Sequence, residues 1–177
     1  GETIIYRSFS KLIAITGKKV TKLPSSSYFI KSFLIGNQYF VQDQTQGIFR
    51  LDLEELKFEK YFSNKQLDGQ EIIAFLPTEV TQVVMAISKS GRIYNLDLKK
   101  RTSTIYKELF EPEDANQVVC AIEAKDGLYY LGTLSDGIVS LSKNGTILRD
   151  EQNFEDLQDN SVLNLYQTKQ GNIWTLL

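Results

Sequence analysis

The chain has 177 residues, 42% hydrophobic and 24% charged, which is the size and balance of one globular domain. Its 20 basic and 22 acidic side chains leave a net charge of −2, so nothing draws it electrostatically to nucleic-acid phosphates. It has no histidine and one cysteine, Cys120, which excludes an intrachain disulfide, any Ser-His-Asp or Cys-His arrangement within the chain and any His-ligated metal site.

In chain order, Lys11–Ile15 and Lys19–Leu23 read as two strands turning at Thr16-Gly17-Lys18, the outer part of a repeat unit spanning residues 1–27. A unit at 28–71 opens on Tyr28-Phe29-Ile30, continues through Gln38–Gln42 to Gly47-Ile-Phe-Arg-Leu-Asp-Leu53, and closes on Glu59–Phe62. Asp52–Phe58 is the one stretch that could hold a helical turn. The unit at 72–117 repeats the order with Ile72–Leu76, Gln82–Ile87, Arg92–Leu96 and Ser103–Tyr106. The unit at 118–161 does so with Val118–Glu123, Leu128–Thr133, Ile138–Ser142 and Thr146–Arg149. Its last two strands are joined by Asn144-Gly145, a pair suited to the positive φ angles of a type I′ hairpin. Residues 162–177 begin a further unit and stop in its second strand, so the chain is expected to be a fragment. No window approaches the roughly 20 apolar residues of a membrane span, and no signal-peptide pattern opens the chain.

Two independent markers share one period. The apolar runs start at 28, 72, 118 and 162, spacings of 44, 46 and 44, and Gly47, Gly91 and Gly137 are spaced by 44 and 46. Four short strands in about 45 residues is the size of a β-propeller blade. Helical solenoids have similar periods, but here the apolar residues alternate or run in short blocks, interrupted by glycine. The expected fold is therefore all-β, with β-propeller blades of four antiparallel strands. About four blades would form an incomplete ring over residues 1–177. Open blade faces and unpaired edges in such a piece favour self-association, a homodimer in the simplest case.

Residues with chemical potential are few. Cys120 lies in the apolar run Val118–Ile122 and reads as a core thiol. Lys99-Lys100-Arg101 reads as a solvated turn after a strand. The acidic groups Glu111, Glu113 and Asp114, then Glu155, Asp156 and Asp159, lie in connections between units. They do not define the carboxylate pair that glycoside hydrolysis needs. Asp156–Asn160 lacks the glycine and spacing of a calcium loop, and the sequon Asn144-Gly-Thr146 is explained by its hairpin. Tyr129 and Tyr130 are adjacent in a strand and so point to opposite faces. No catalytic, cofactor-binding or metal-binding residue emerges, no cofactor is expected, and the ligand-binding residues stay unassigned.

Three passages carry a family resemblance: Asp126-Gly-Leu-Tyr-Tyr-Leu-Gly-Thr133 with Asp136-Gly-Ile138, Asn160-Ser-Val-Leu-Asn-Leu-Tyr-Gln167, and Gly171-Asn-Ile-Trp174. Together they resemble the two-component regulator propeller repeat over about residues 116–177. Over 28–106 the Trp and the Gly-Thr pair of that pattern are missing, and Tyr39 and Met85 stand at neighbouring positions. The family occurs in periplasmic sensor regions of hybrid histidine kinases, especially in Bacteroidetes, and in triple-tyrosine regulators. The resemblance implies a non-catalytic, periplasmic ligand-binding module of a membrane-anchored receptor, with a small molecule or oligosaccharide as partner and the kinase outside this chain. At its family position Trp174, the only tryptophan, is expected to pack between adjacent blades rather than stack on a sugar. An interaction scaffold, or a carbohydrate-active propeller enzyme, are the alternatives, since propellers host many functions.

Overall fold

A computed structural model describes residues 3–111, 115–148 and 160–177. These form two compact units, residues 1–71 with 101–103 and residues 72–100 with 104–177.

In the first unit, β1 (Thr3–Arg7), β2 (Lys11–Thr16) and β3 (Lys19–Pro24) form an antiparallel sheet in that order. β4 (Phe29–Ile35), β5 (Gln38–Asp43), β6 (Gly47–Asp52) and β7 (Lys57–Ser63) form a four-stranded meander. Strand alternation separates Phe40 and Val41, both fully buried, onto opposite faces. Val41 joins Leu12, Phe29 and Leu51 in one core, packed round by Tyr39, Phe49 and Phe58. On the other face Phe40 meets the Tyr61 ring edge-on at 5.3 Å.

The second unit holds two more four-stranded sheets and a two-stranded one. β8 (Ile72–Pro77), β9 (Val83–Ser88), β10 (Arg92–Asp97) and β11 (Thr102–Glu108) make the first. β12 (Val118–Glu123), β13 (Tyr129–Thr133), β14 (Ile138–Leu141) and β15 (Ile147–Leu148) make the second. β16 (Asn164–Gln167) pairs with β17 (Ile173–Leu176). Sheet β12–β15 is buried on both faces. Tyr129 enters a core with Ile73, Met85 and Ile87, and Tyr130 enters another with Val162 and Leu165. This fold is the one the period predicts, built of four-stranded antiparallel blades.

Two devices recur from sheet to sheet. The first strand of each four-stranded sheet carries a register shift near its start, between Phe29 and Lys31, Ile72 and Ala74, and Val118 and Cys120. Such bulges sharpen local twist. The backbone N–H at the start of a repeat also donates to a carbonyl of an earlier sheet, in a loop or at a strand end: Phe29 to Phe9 (2.7 Å), Val118 to Lys89 (2.9 Å) and Val162 to Thr133 (2.8 Å).

Several local expectations are corrected. Asp52–Phe58 forms no helix, because Asp52 accepts the Glu54 and Glu55 N–H groups at 2.9 Å and holds a tight turn into β7. The short helical element is instead a 3₁₀ turn over Asn64–Leu67, closed by a capping box between Ser63 and Gln66. The Asn144-Gly145 turn is not type I′. Gly145 donates to the Ser142 carbonyl at 2.8 Å, so Lys143 and Asn144 are its central residues, and positive φ falls on Gly145 (80°). Strand β1 is an addition to the sequence reading, and β15 starts at Ile147 rather than Thr146, while Arg149 lies outside the described residues.

Candidate ligand-binding cavity

In the first unit Phe9, Tyr28, Ile30, Gln44 and Glu71 line an open cavity of about 530 Å³. Ile30 comes from strand β4, and the other four lining residues come from connections. Phe9 sits at the apex of the β1–β2 turn, between Ser8, whose N–H donates to the Lys11 carbonyl at 2.9 Å, and Ser10, whose carbonyl accepts from the Ser25 N–H at 2.9 Å. Tyr28 ends the β3–β4 connection and Gln44 begins the β5–β6 turn; the Gln44 N–H donates to the Tyr28 carbonyl at 2.9 Å. Glu71 follows Gln70, whose carbonyl accepts from the buried Gln42 side chain at 2.8 Å.

Asp43 organises these connections. It is fully buried and accepts the N–H groups of Ser26 (3.1 Å), Ser27 (3.1 Å), Thr45 (3.0 Å) and Gln46 (3.1 Å) and the Ser27 hydroxyl (2.7 Å). Burial opposes its charge, but the bonds from Ser27, Thr45 and Gln46 outweigh that and hold its carboxyl below the ordinary 3.8. Residues adjacent to its partners are Tyr28 and Gln44, so one carboxylate fixes the backbone on two sides of the cavity.

The lining is aromatic and aliphatic with a carboxamide and a carboxylate. Phe9 and Tyr28 are 74% and 57% exposed, an unusual state for two large rings on neighbouring turns. Such walls can stack on a flat apolar face and hydrogen-bond its edges. They offer one carboxylate, whereas glycoside cleavage uses two. In the second unit a smaller hollow of about 190 Å³ is lined by Glu79, Val80, Met85 and Lys143 among others, and Lys143 pairs with Glu123 at 3.0 Å.

The residues singled out in the sequence lie elsewhere. Tyr129 and Tyr130 are core residues, and their hydroxyls bond the Pro77 carbonyl and the Asp126 carboxylate. Cys120 is half-buried rather than enclosed, packed against the core that holds Tyr130 and Val162. Trp174 is 66% exposed, not packed between blades among the described residues. Lys99 and Lys100 are exposed as expected, whereas Arg101 pairs with Glu59 at 2.5 Å and stacks over the Tyr61 ring. Glu111 is exposed; Glu113, Asp114, Glu155, Asp156 and Asp159 lie outside the described residues. Among the described residues no group of three or more metal-ligating side chains comes together. The cavity residues carried two signals in the sequence. Phe9 is flanked by serines in a turn, and Tyr28 and Ile30 alternate with Phe29, which takes the core side.

Residues 156–175 match the family model for the two component regulator propeller. The fold is shared with solved structures. The extracellular domain of the one component system BT4673 from B. thetaiotaomicron is 16% identical with a TM-score of 0.70, over 99% of this chain and 25% of that one. The extracellular domain of the hybrid two component system BT3049 from the same organism is 18% identical with a TM-score of 0.68, over 98% and 26%. PorZ, a surface component of the type-IX secretion system of Porphyromonas gingivalis, is 12% identical with a TM-score of 0.63, over 99% and 24%. The chain thus spans about a quarter of the length of each of these structures. No curated protein matches its sequence.

Proposed function

We propose that this chain, a run of β-propeller blades bearing a two-component regulator propeller repeat, is part of the extracytoplasmic sensor region of a two-component-type receptor. Its own role is to bind ligand without transforming it. The ligand is a saccharide, held at the cavity of Phe9, Tyr28, Ile30, Gln44 and Glu71. The observation that carries this reading is the pair of exposed rings, Phe9 and Tyr28, on turns fixed by backbone hydrogen bonds and by Asp43. A sugar ring presents an apolar face for stacking and hydroxyl edges that suit Gln44 and Glu71. Turns already fixed in place reduce the ordering cost of binding.

Signalling requires that the ligand bind two receptor states with different affinity. The family repeat and the likeness to extracellular domains of one- and two-component systems support placing the chain outside the cytoplasm. The test is a thermal-shift screen of the complete extracytoplasmic region against oligosaccharides, because a ligand selective for the folded state raises the melting temperature with concentration. A saturable shift that Phe9→Ala and Tyr28→Ala abolish, without lowering the unliganded melting temperature, is expected. A shift that survives both substitutions overturns the cavity assignment. No shift across the panel overturns saccharide sensing and favours a protein partner.

A further inference from the structure

The sheet β8–β11 departs from its sisters at one facing pair. Leu51, Asn95 and Leu141 each stand four residues beyond the glycine that marks the third strand of a sheet, Gly47, Gly91 or Gly137. Strand register sets Leu51 opposite Tyr39 and Leu141 opposite Tyr129, but Asn95 opposite Met85. Leu51 and Leu141 are buried core residues, each in a cluster with its facing ring. Asn95 is half-buried, and its carboxamide has no hydrogen-bond partner among the described residues. A tyrosine and a leucine fill this position in the sister sheets. A thioether and a carboxamide stand there in β8–β11, and the hollow of about 190 Å³ lies against both.

The rims of the hollow come from two turns that are already fixed. In the β8–β9 connection the Thr78 hydroxyl donates to the Val83 carbonyl at 2.8 Å and accepts the Val80 N–H at 3.2 Å, which holds Glu79 at the rim. Glu79 is exposed and makes no ion pair among the described residues. The β14–β15 turn brings Lys143 and Asn144. Gly145 lets that turn lie close, since an added Cβ would come within 2.8 Å of the Tyr106 ring and 3.3 Å of the Met85 methyl. Lys143 pairs with Glu123 at 3.0 Å, and an ammonium has more donors than that bond uses. Asn144 uses its oxygen on the Thr146 N–H at 3.1 Å, so its NH2 is the group left to donate. An acceptor rim and a donor rim thus border an apolar floor of Val83 and Met85.

We propose that this hollow is a second ligand site, for a small zwitterion of the α-amino acid class. The ligand's ammonium meets Glu79 and Asn95, its carboxylate meets Lys143 and Asn144, and its side chain lies on Val83 and Met85. Size argues for a small occupant, since pockets for drug-sized ligands run from about 300 to 1,000 Å³. Charge argues for a zwitterion. An anion alone would face Glu79 and a cation alone would face Lys143, in a partly desolvated site where like charges repel more strongly than in water. Fixed turns lower the ordering cost of binding. The hollow lies within the second unit and shares no lining residue with the cavity of Phe9 and Tyr28, so the inference does not rest on the saccharide reading.

Isothermal titration calorimetry of the 177-residue chain against free α-amino acids, and against their N-acetyl and α-amide derivatives, tests this. A saturable heat is expected with at least one free amino acid, weakened about tenfold or more in either derivative, because each removes one of the two charges. Glu79→Gln should weaken binding to a similar degree without changing the melting temperature, since Glu79 is exposed. Asn95→Leu, which restores the residue of the sister sheets, should abolish binding and leave the fold at least as stable. No heat with any free amino acid up to its solubility overturns the inference. So does binding that both derivatives retain, or binding that survives Asn95→Leu and Glu79→Gln undiminished, because the ligand then sits elsewhere.

Discussion

Leu56 and Arg101 adopt the same left-handed backbone conformation, with φ of 52° and 57°, at equivalent points of two turns. Each turn opens on an aspartate, Asp52 or Asp97, whose carboxylate accepts two backbone N–H groups, from Glu54 and Glu55 in one and from Lys99 and Lys100 in the other. Those bonds hold both carboxyls below their ordinary value, led by Glu55 at Asp52 and by Lys100 at Asp97. The repeat is thus conserved within the chain as a hydrogen-bonded turn, which lets side chains as different as leucine and arginine occupy a strained position.

The glycines divide by what surrounds them, and this gives a first prediction. At Gly47, φ is 101° and an added Cβ would lie 2.3 Å from the Phe62 carbonyl oxygen and 2.6 Å from the Asn64 nitrogen, both backbone atoms. Gly47→Ala should therefore cost about 3 kcal/mol or more, and Gly17→Ala, where only the φ of 59° is unfavourable and the space is open, about 1 kcal/mol. Urea denaturation of the two variants checks the ordering. Equal costs would mean that backbone strain alone, and not the close approach, fixes Gly47.

Asp43 predicts an acid-sensitive fold. Its carboxyl is lowered in the folded state, so its contribution is complete above the ordinary 3.8 and is lost as pH falls through the lower folded value. Asp43→Asn keeps the size but loses acceptor capacity toward Ser26, Ser27, Thr45 and Gln46, at a cost of about 2–3 kcal/mol at neutral pH. The stability gap between wild type and variant should narrow on acidification below about pH 4. A gap independent of pH would show that the ionised form is not what holds the loops.

The fold was legible because its period is written twice, in the apolar runs and in Gly47, Gly91 and Gly137, all of which take positive φ. The helical turn was misplaced because Glu-Glu-Leu-Lys has helical propensity, yet Asp52 satisfies the local N–H groups in a turn, while the Ser63–Gln66 box selects the next segment. The cavity was hidden for another reason. Tyr28 belongs to the run that marks the repeat, and only strand alternation separates it from the buried Phe29. Glu71 and Phe9 are far apart in sequence, and no spacing rule brings a loop tip and the residue before a strand together.

Tyr129 supplies the last prediction. Its ring is fully buried between sheets and its hydroxyl donates to the Pro77 carbonyl. Burial pushes its ionisation up to about 12, with smaller contributions from the charges of Glu123 and Glu79. In the unfolded chain the group ionises near 10. The unfolded state therefore loses its proton first, and stability should fall as pH rises above 10. Tyr129→Phe removes the ionisable group at a cost of about 1 kcal/mol for the lost hydrogen bond, and leaves the Pro77 carbonyl without this donor. The variant should be less stable than wild type at pH 7, and the difference should shrink or reverse in alkaline solution. Urea titrations of the two proteins at pH 7 and above 10 measure this. A constant difference would mean that Tyr129 ionises equally readily in the folded and unfolded chains.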